Sequence, residues 1–142
     1  MKTKLSLFAL VVLTISCRTY TILPSDFKKQ VIESNSDNQK NVAVSNPVMP
    51  FSKIEYKANG LNYLSVYDKS GSPSTIQNSP SVEMRVTLKN GKRKIFYLDT
   101  ITIENDTLKG EKSRILRIKD KVAFSEIVKI EVQDGGKKYR YQ

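Results

Sequence analysis

The sequence predicts a mainly β chain: a small antiparallel β-barrel of five to seven strands with one short helical turn, placed after a signal peptide and a flexible tether. Three observations predict it. Apolar and polar residues alternate without a break from Val82 to Leu88, the period of a strand with one buried face. The tight-turn dipeptides Asn90-Gly91 and Asn105-Asp106 separate successive strand-like runs. Residues 18 to 50 carry little periodicity and end in a proline-containing polar stretch.

Residues 1–16 read as a signal peptide. The basic start Met1-Lys2-Thr3-Lys4 is followed by the apolar run Leu5 to Leu13 and then by Thr14, Ile15 and Ser16. The run is too short to cross a bilayer, which takes about 20 residues, and has the length of a secretory core segment. Cys17, the single cysteine among 142 residues, follows directly. A lone cysteine allows no disulfide within one chain, so an apolar core must supply the stability.

Residues 17–50 read as the tether, about 30 residues able to reach roughly 30 Å as a coil. Within it "LPSDFKKQVIES" can form a short helix with Ser25 as N-cap and with Phe27, Val31 and Ile32 on one side. The β-domain follows over residues 51–142, with a core barrel at 82–132. "FSKIEYKANGLNYLSVY" predicts two short strands joined at Asn59-Gly60, and residues 68–81 form a second polar stretch.

With Asn90-Gly91 as a two-residue turn, Val86 falls opposite Ile95 and Met84 opposite Tyr97. The next strand, "KIFYLDTITIE", is long, and Asp99 stands in its apolar phase. Either Asp99 is a functional carboxylate, or the strand bends and swings Asp99 outward with Leu98 inward; long strands in small barrels bend, which favours the second. Asn105-Asp106 sets Ile103 opposite Leu108 and Ile101 opposite Gly110, where a glycine admits close approach. A loop at Lys119-Asp120-Lys121 sets Leu116 and Ile118 opposite Phe124 and Val122. A helical turn capped by Ser125 leads into the strand "VKIEV". Four strands, a short helical turn and a final strand is the order of an SH3-like barrel.

Two resemblances bear on this. The position of Cys17 resembles the lipobox of bacterial lipoproteins, with Ser16 before the cysteine and Thr14 where leucine is commonest; it implies acylation at Cys17 and attachment to a membrane through the acyl chains. Residues 82–132, with "VTLKNG", "ENDTLKG" and "SEIVKIEV" in that order, resemble the C-terminal β-domain of small Bacteroidota lipoproteins. These motifs are turn and core residues, so they imply a fold and no activity. The opening strands also resemble the first motif of Sm-like RNA-binding proteins, but the Asp-Met-Asn and Arg-Gly signatures of that family are missing. The leader and these resemblances together predict a lipid-anchored cell-envelope protein, at the outer membrane facing the periplasm.

Composition narrows the chemistry. There is no histidine, which removes Ser/His/Asp and Cys/His catalysis and histidine metal sites; no catalytic residue, metal site or cofactor is expected. Lys and Arg number 24 against 14 Asp and Glu, a net +10, or +8 once Lys2 and Lys4 leave with the signal peptide. That charge favours anionic partners. The ending "GGKKYRYQ" interleaves cations and aromatics, but in a strand Tyr139 and Tyr141 share one face while Lys138 and Arg140 share the other, which fits an edge strand rather than a nucleic-acid surface. Lys92, Arg93 and Lys94 form a charged turn with Lys89.

The expected function is therefore a non-catalytic binding or structural module, with a protein partner docking at the Tyr139–Tyr141 strand edge. A periplasmic enzyme or enzyme inhibitor acting on an anionic substrate through Asp99, Lys94 and Tyr97 is one alternative. A basic surface for lipid head groups or acidic polysaccharide, built on Lys89, Lys92, Arg93 and Lys94, is the other.

Overall fold

The alternation in β6 (Val82–Leu88) buries Val82, Met84, Val86 and Leu88 and turns Glu83, Arg85 and Thr87 to the other face. The structure is a computed structural model that describes residues 18–35, 39–135 and 139–142. β6 pairs on one side with β7 (Arg93–Tyr97) and on the other with β11 (Ile127–Asp134), both antiparallel. Between β7 and β11 come a 3-10 turn (Leu98–Thr100), β8 (Thr102–Glu104), β9 (Thr107–Ser113), β10 (Ile118–Ala123) and a second 3-10 turn (Phe124–Glu126). Before β6 lie β1 (Thr19–Ile22), α1 (Pro24–Asn35), β2 (Lys40–Ser45), β3 (Lys53–Ala58), β4 (Tyr63–Tyr67) and β5 (Pro73–Gln77).

The mainly β, antiparallel architecture is present, and from β6 to β11 the chain follows the expected order, with the long second strand bent into β7, a 3-10 turn and β8. Among the described residues the sheets do not close into a barrel. The outer edge of β11 is taken by β1, with Ile22 opposite Ile130 and Thr19 opposite Gln133, so the ladder runs on to β4 and β5 in the order β5-β4-β1-β11-β6-β7. Strands β10-β9-β8 and β2-β3 form two further sheets.

Residues 19–45, expected within the tether, thus supply β1, α1 and β2. α1 opens on Pro24, a favoured first helical residue, so Ser25 lies inside the helix and is not its cap. Phe27 and Val31, one turn apart, are fully buried, while Ile32 is 48 % exposed because it stands about 100° round the helix from Val31.

Three turns differ from expectation. At β6–β7 the Gly91 N–H donates to Leu88 O at 2.8 Å and Gly91 alone has positive φ, +79°. This is a three-residue loop, a type I turn followed by a left-handed glycine, and the extra residue shifts the register: Val86 faces Lys94 and Met84 faces Phe96. Phe96 is therefore buried and Ile95 is 44 % exposed. Lys119, Asp120 and Lys121 lie in β10 paired with β9, and the turn is Arg114–Arg117, which leaves Leu116 in solvent. The second 3-10 turn begins at Phe124 with no side-chain cap, so Ser125 sits inside it.

Asn59-Gly60 is not a hairpin, since β3 pairs with β2 and β4 joins the large sheet. Asn59 is buried instead, donating its amide to Leu98 O at 2.8 Å and Ile101 O at 3.0 Å. The Asn105-Asp106 turn is as expected: both residues have positive φ and Ile103 faces Leu108. Gly110 is where a bent neighbour crosses closely, since a Cβ there would lie 2.6 Å from Ile101 Cδ1. The main core gathers Phe27, Leu64, Met84, Phe96, Leu98, Ile101, Leu108 and Ile130; a second, smaller one joins Val44, Ile54, Tyr97 and Tyr139, with Tyr56 packed against it.

Candidate functional site

Asp99 belongs to the 3-10 turn that bends the second strand. Successive residues in such a turn are about 120° apart rather than opposed, so Leu98 and Asp99 are both buried. The outward swing expected for Asp99 does not occur, although the bend does. A carboxylate removed from water must be paired and fully hydrogen-bonded, and Asp99 is. Its Oδ1 meets Arg114 Nη2 at 2.5 Å, and its Oδ2 accepts from Tyr56 Oη at 2.5 Å and Tyr141 Oη at 2.9 Å. The backbone O of Asp99 accepts from the Asn59 N–H at 2.6 Å.

Arg114, at the start of the β9–β10 turn, is equally enclosed. Its Nε and Nη2 donate to Pro80 O at 3.2 and 2.8 Å. The guanidinium lies 4.0 Å from the Tyr97 ring centre, 4.5 Å from that of Tyr56 and 5.6 Å from that of Tyr139, a favourable cation–aromatic arrangement in a desolvated setting. Nη1 has no hydrogen-bond partner among the described residues. Burial first, then the Asp99 charge and its hydrogen bond, push the Tyr56 and Tyr141 phenols above their ordinary range. Both oxygens of Asp99 are engaged and neither side chain of the ion pair meets solvent, so the centre works as a clamp that joins β3, the β9–β10 turn, the 79–81 segment and the C-terminal residues.

Tyr56 and Thr100 also line an open cleft of about 780 Å³ between β3 and the β8–β10 sheet. Five cations line it, Lys57, Lys109, Arg117, Lys119 and Lys121, against the three acids Glu104, Glu111 and Asp120, a local balance of 5 − 3 = +2. Lys109 pairs with Glu104 at 2.6 Å, and Arg117 donates to Glu55 O at 2.9 Å. Burial pushes the Glu111 carboxyl up, against the opposing pull of Arg114, Lys119 and Arg117. For Asp120 burial acts upward too, but hydrogen bonds from Lys94 Nζ and the Lys121 N–H outweigh it and hold the carboxyl below its usual value.

The residues singled out in the sequence are dispersed. Cys17 and Lys138 lie outside the described residues. Tyr139 is buried edge-on to Tyr97, with ring centres 6.1 Å apart, and Tyr141 bridges Val44 of β2. Arg140 is exposed beside them, whereas Arg93 lies at the opposite end of β7 from Tyr97, about 13 Å away at ~3.3 Å per residue, and Lys92 precedes it in the turn. Lys94 reaches Asp120 at 2.8 Å, not Asp99. Sequence reasoning missed Arg114, Tyr56 and the cleft cations of β10. The signal for Arg114 was Asp99 itself, because an acid on an apolar face calls for a buried cation. Compared with known proteins, the chain matches no family model, no curated protein and no solved structure.

Proposed function

We propose that the protein is a membrane-anchored envelope lipoprotein, acylated at Cys17, that serves as a non-catalytic module binding an anionic chain such as an acidic polysaccharide. The observation that carries this reading is the cleft, an open groove with five cations on a rigid β framework. Such a groove concentrates positive potential between low-dielectric walls and attracts polyanions. The closure of the Asp99–Arg114 centre supports a binding role over a catalytic one, since a carboxylate with both oxygens taken has nothing to offer a substrate. Tyr139 and Tyr141 are engaged at that centre, which favours the cleft over docking at their strand edge. β1 starts at Thr19, two residues after Cys17, so an acylated Cys17 holds the folded body against the bilayer with no long spacer.

Two measurements test this. Growth with a clickable fatty-acid analogue should label the wild type and not Cys17→Ser; an unlabelled wild type rejects the anchor. Titration with poly-glutamate or a sulfated oligosaccharide should show binding that weakens with salt and that Lys57→Glu/Lys119→Glu reduces at least tenfold. Binding untouched by that reversal rejects the cleft.

A further inference from the structure

The connection between β2 and β3 carries a display that folding does not require. Its tip exposes Val48 at 65 %, Met49 at 62 % and Phe51 at 107 % of their full areas. The loop nonetheless has a fixed shape. The Asn46 N–H donates to Ser52 O at 3.1 Å, Asn46 Oδ1 accepts from the N–H groups of Val48 and Met49 at 2.9 and 3.3 Å, and Met49 O accepts from both the N–H and the hydroxyl of Ser52 at 3.1 Å. Pro47 and Pro50 restrict two further φ angles. Phe51 stands at φ +73°, a region that disfavours bulky side chains. A phenylalanine here relieves no backbone strain and fills no core; what it contributes is exposed apolar surface.

The base of the loop is cationic. Lys53 lies opposite Ser45 across the β2–β3 ladder, and Arg140 precedes Tyr141, which bridges Val44 on the other edge of β2. Both cations are exposed. No acid occurs between Lys40 and Lys53. A rigid apolar tip with cations at its base has the amphipathic order of a bilayer boundary, where apolar side chains leave water among the upper acyl carbons and cations meet anionic head groups.

We propose that the Asn46–Ser52 loop is a membrane-docking element that seats Val48, Met49 and Phe51 in the interfacial layer of an anionic bilayer, with Lys53 and Arg140 against lipid phosphates. It rests on the membrane-anchored reading above, and it adds a second attachment point that needs no acyl chain.

The chain has no tryptophan, so Phe51→Trp provides a single reporter. In the mature chain carrying Cys17→Ser, this tryptophan should shift its emission to the blue and be quenched by brominated acyl chains when phosphatidylethanolamine/phosphatidylglycerol vesicles are added. Val48→Ser/Met49→Ser/Phe51→Ser should lower co-sedimentation with those vesicles at least tenfold while keeping the thermal midpoint. An unshifted tryptophan overturns the proposal. Equal, salt-released binding of the triple variant assigns adhesion to surface charge alone and also overturns it, as does a concentration-dependent shift without vesicles, which means contact between copies of the chain. A wild type that takes up no fatty-acid label rejects the anchor and leaves vesicle binding by the loop standing, so the two failures are distinguishable.

Discussion

Arg114 and Asp99 form an ion pair at 2.5 Å from which solvent is fully excluded at both side chains. Removing one member of such a pair strands the other charge, which costs about 3–5 kcal/mol. Arg114→Met should therefore lower the urea midpoint sharply. Asp99→Asn/Arg114→Met leaves no unpaired charge and keeps an oxygen for the two tyrosine hydroxyls, so it should be more stable than Arg114→Met alone. A double variant no more stable than that single one contradicts the clamp.

The same centre sets the response to alkali. Tyr56 and Tyr141 have folded pKa values above the unfolded value near 10, so their contribution is fully present below pH 10 and is lost as pH rises past it. Phenolate absorbance, compared between the wild type and Tyr56→Phe/Tyr141→Phe, should show that these two phenols ionise only with unfolding. Tyr56→Phe/Tyr141→Phe should be less stable at neutral pH, with a shallower loss above 10. Ionisation of those two phenols in the still-folded protein counts against it.

Glu111 behaves in the opposite sense to a paired acid. Its folded pKa is raised above 4.5 by burial, so ionisation costs more in the fold than in the unfolded chain. Stability falls as pH climbs through that range and then levels. Glu111→Gln should raise the melting temperature at neutral pH and remove this part of the pH dependence. A lower melting temperature at neutral pH refutes it.

At Gly110 a methyl group would approach Ile101 Cδ1 to 2.6 Å and Phe96 Cδ1 to 3.1 Å. Gly110→Ala should cost about 1–3 kcal/mol, the usual range for overpacking. Ile101→Val deletes the nearer atom, so the pair Gly110→Ala/Ile101→Val should recover part of that loss in chemical denaturation. Strict additivity of the two losses would show that the crossing is looser than described.

Phe51 occupies a left-handed backbone position that asparagine tolerates better. Phe51→Asn should leave stability unchanged or raise it by up to about 1 kcal/mol, as calorimetry can show. A marked loss would mean that the side chain packs in the fold.

How far the sequence foretold this molecule depends on the range of each interaction. β6 is legible because its alternation is local, and Asn105-Asp106 because the turn chemistry sits in two residues. The β6–β7 register is not, since asparagine–glycine serves both two-residue and three-residue loops and one residue decides which side chains face inward. β1 is four residues long and exists through its pairing with β11 more than a hundred residues later, a partnership without a local pattern. Asp99 stood out as an anomaly on its strand, yet its partners Tyr56, Arg114 and Tyr141 come from three separate segments with no fixed spacing to find them by.

The position of β11 governs when this chain can fold. β1 reaches β6 only through β11, which stands between them in the six-stranded sheet, so the β5-β4-β1 half and the β6-β7 half stay unstitched until that strand arrives. Pairings so distant in sequence form slowly, because loop closure must precede the contacts that reward it. The neighbouring pairs β2–β3, β4–β5 and β8–β9–β10 need no such partner and can form first, so the last act of folding is the insertion of one strand that turns two separate halves into a single sheet.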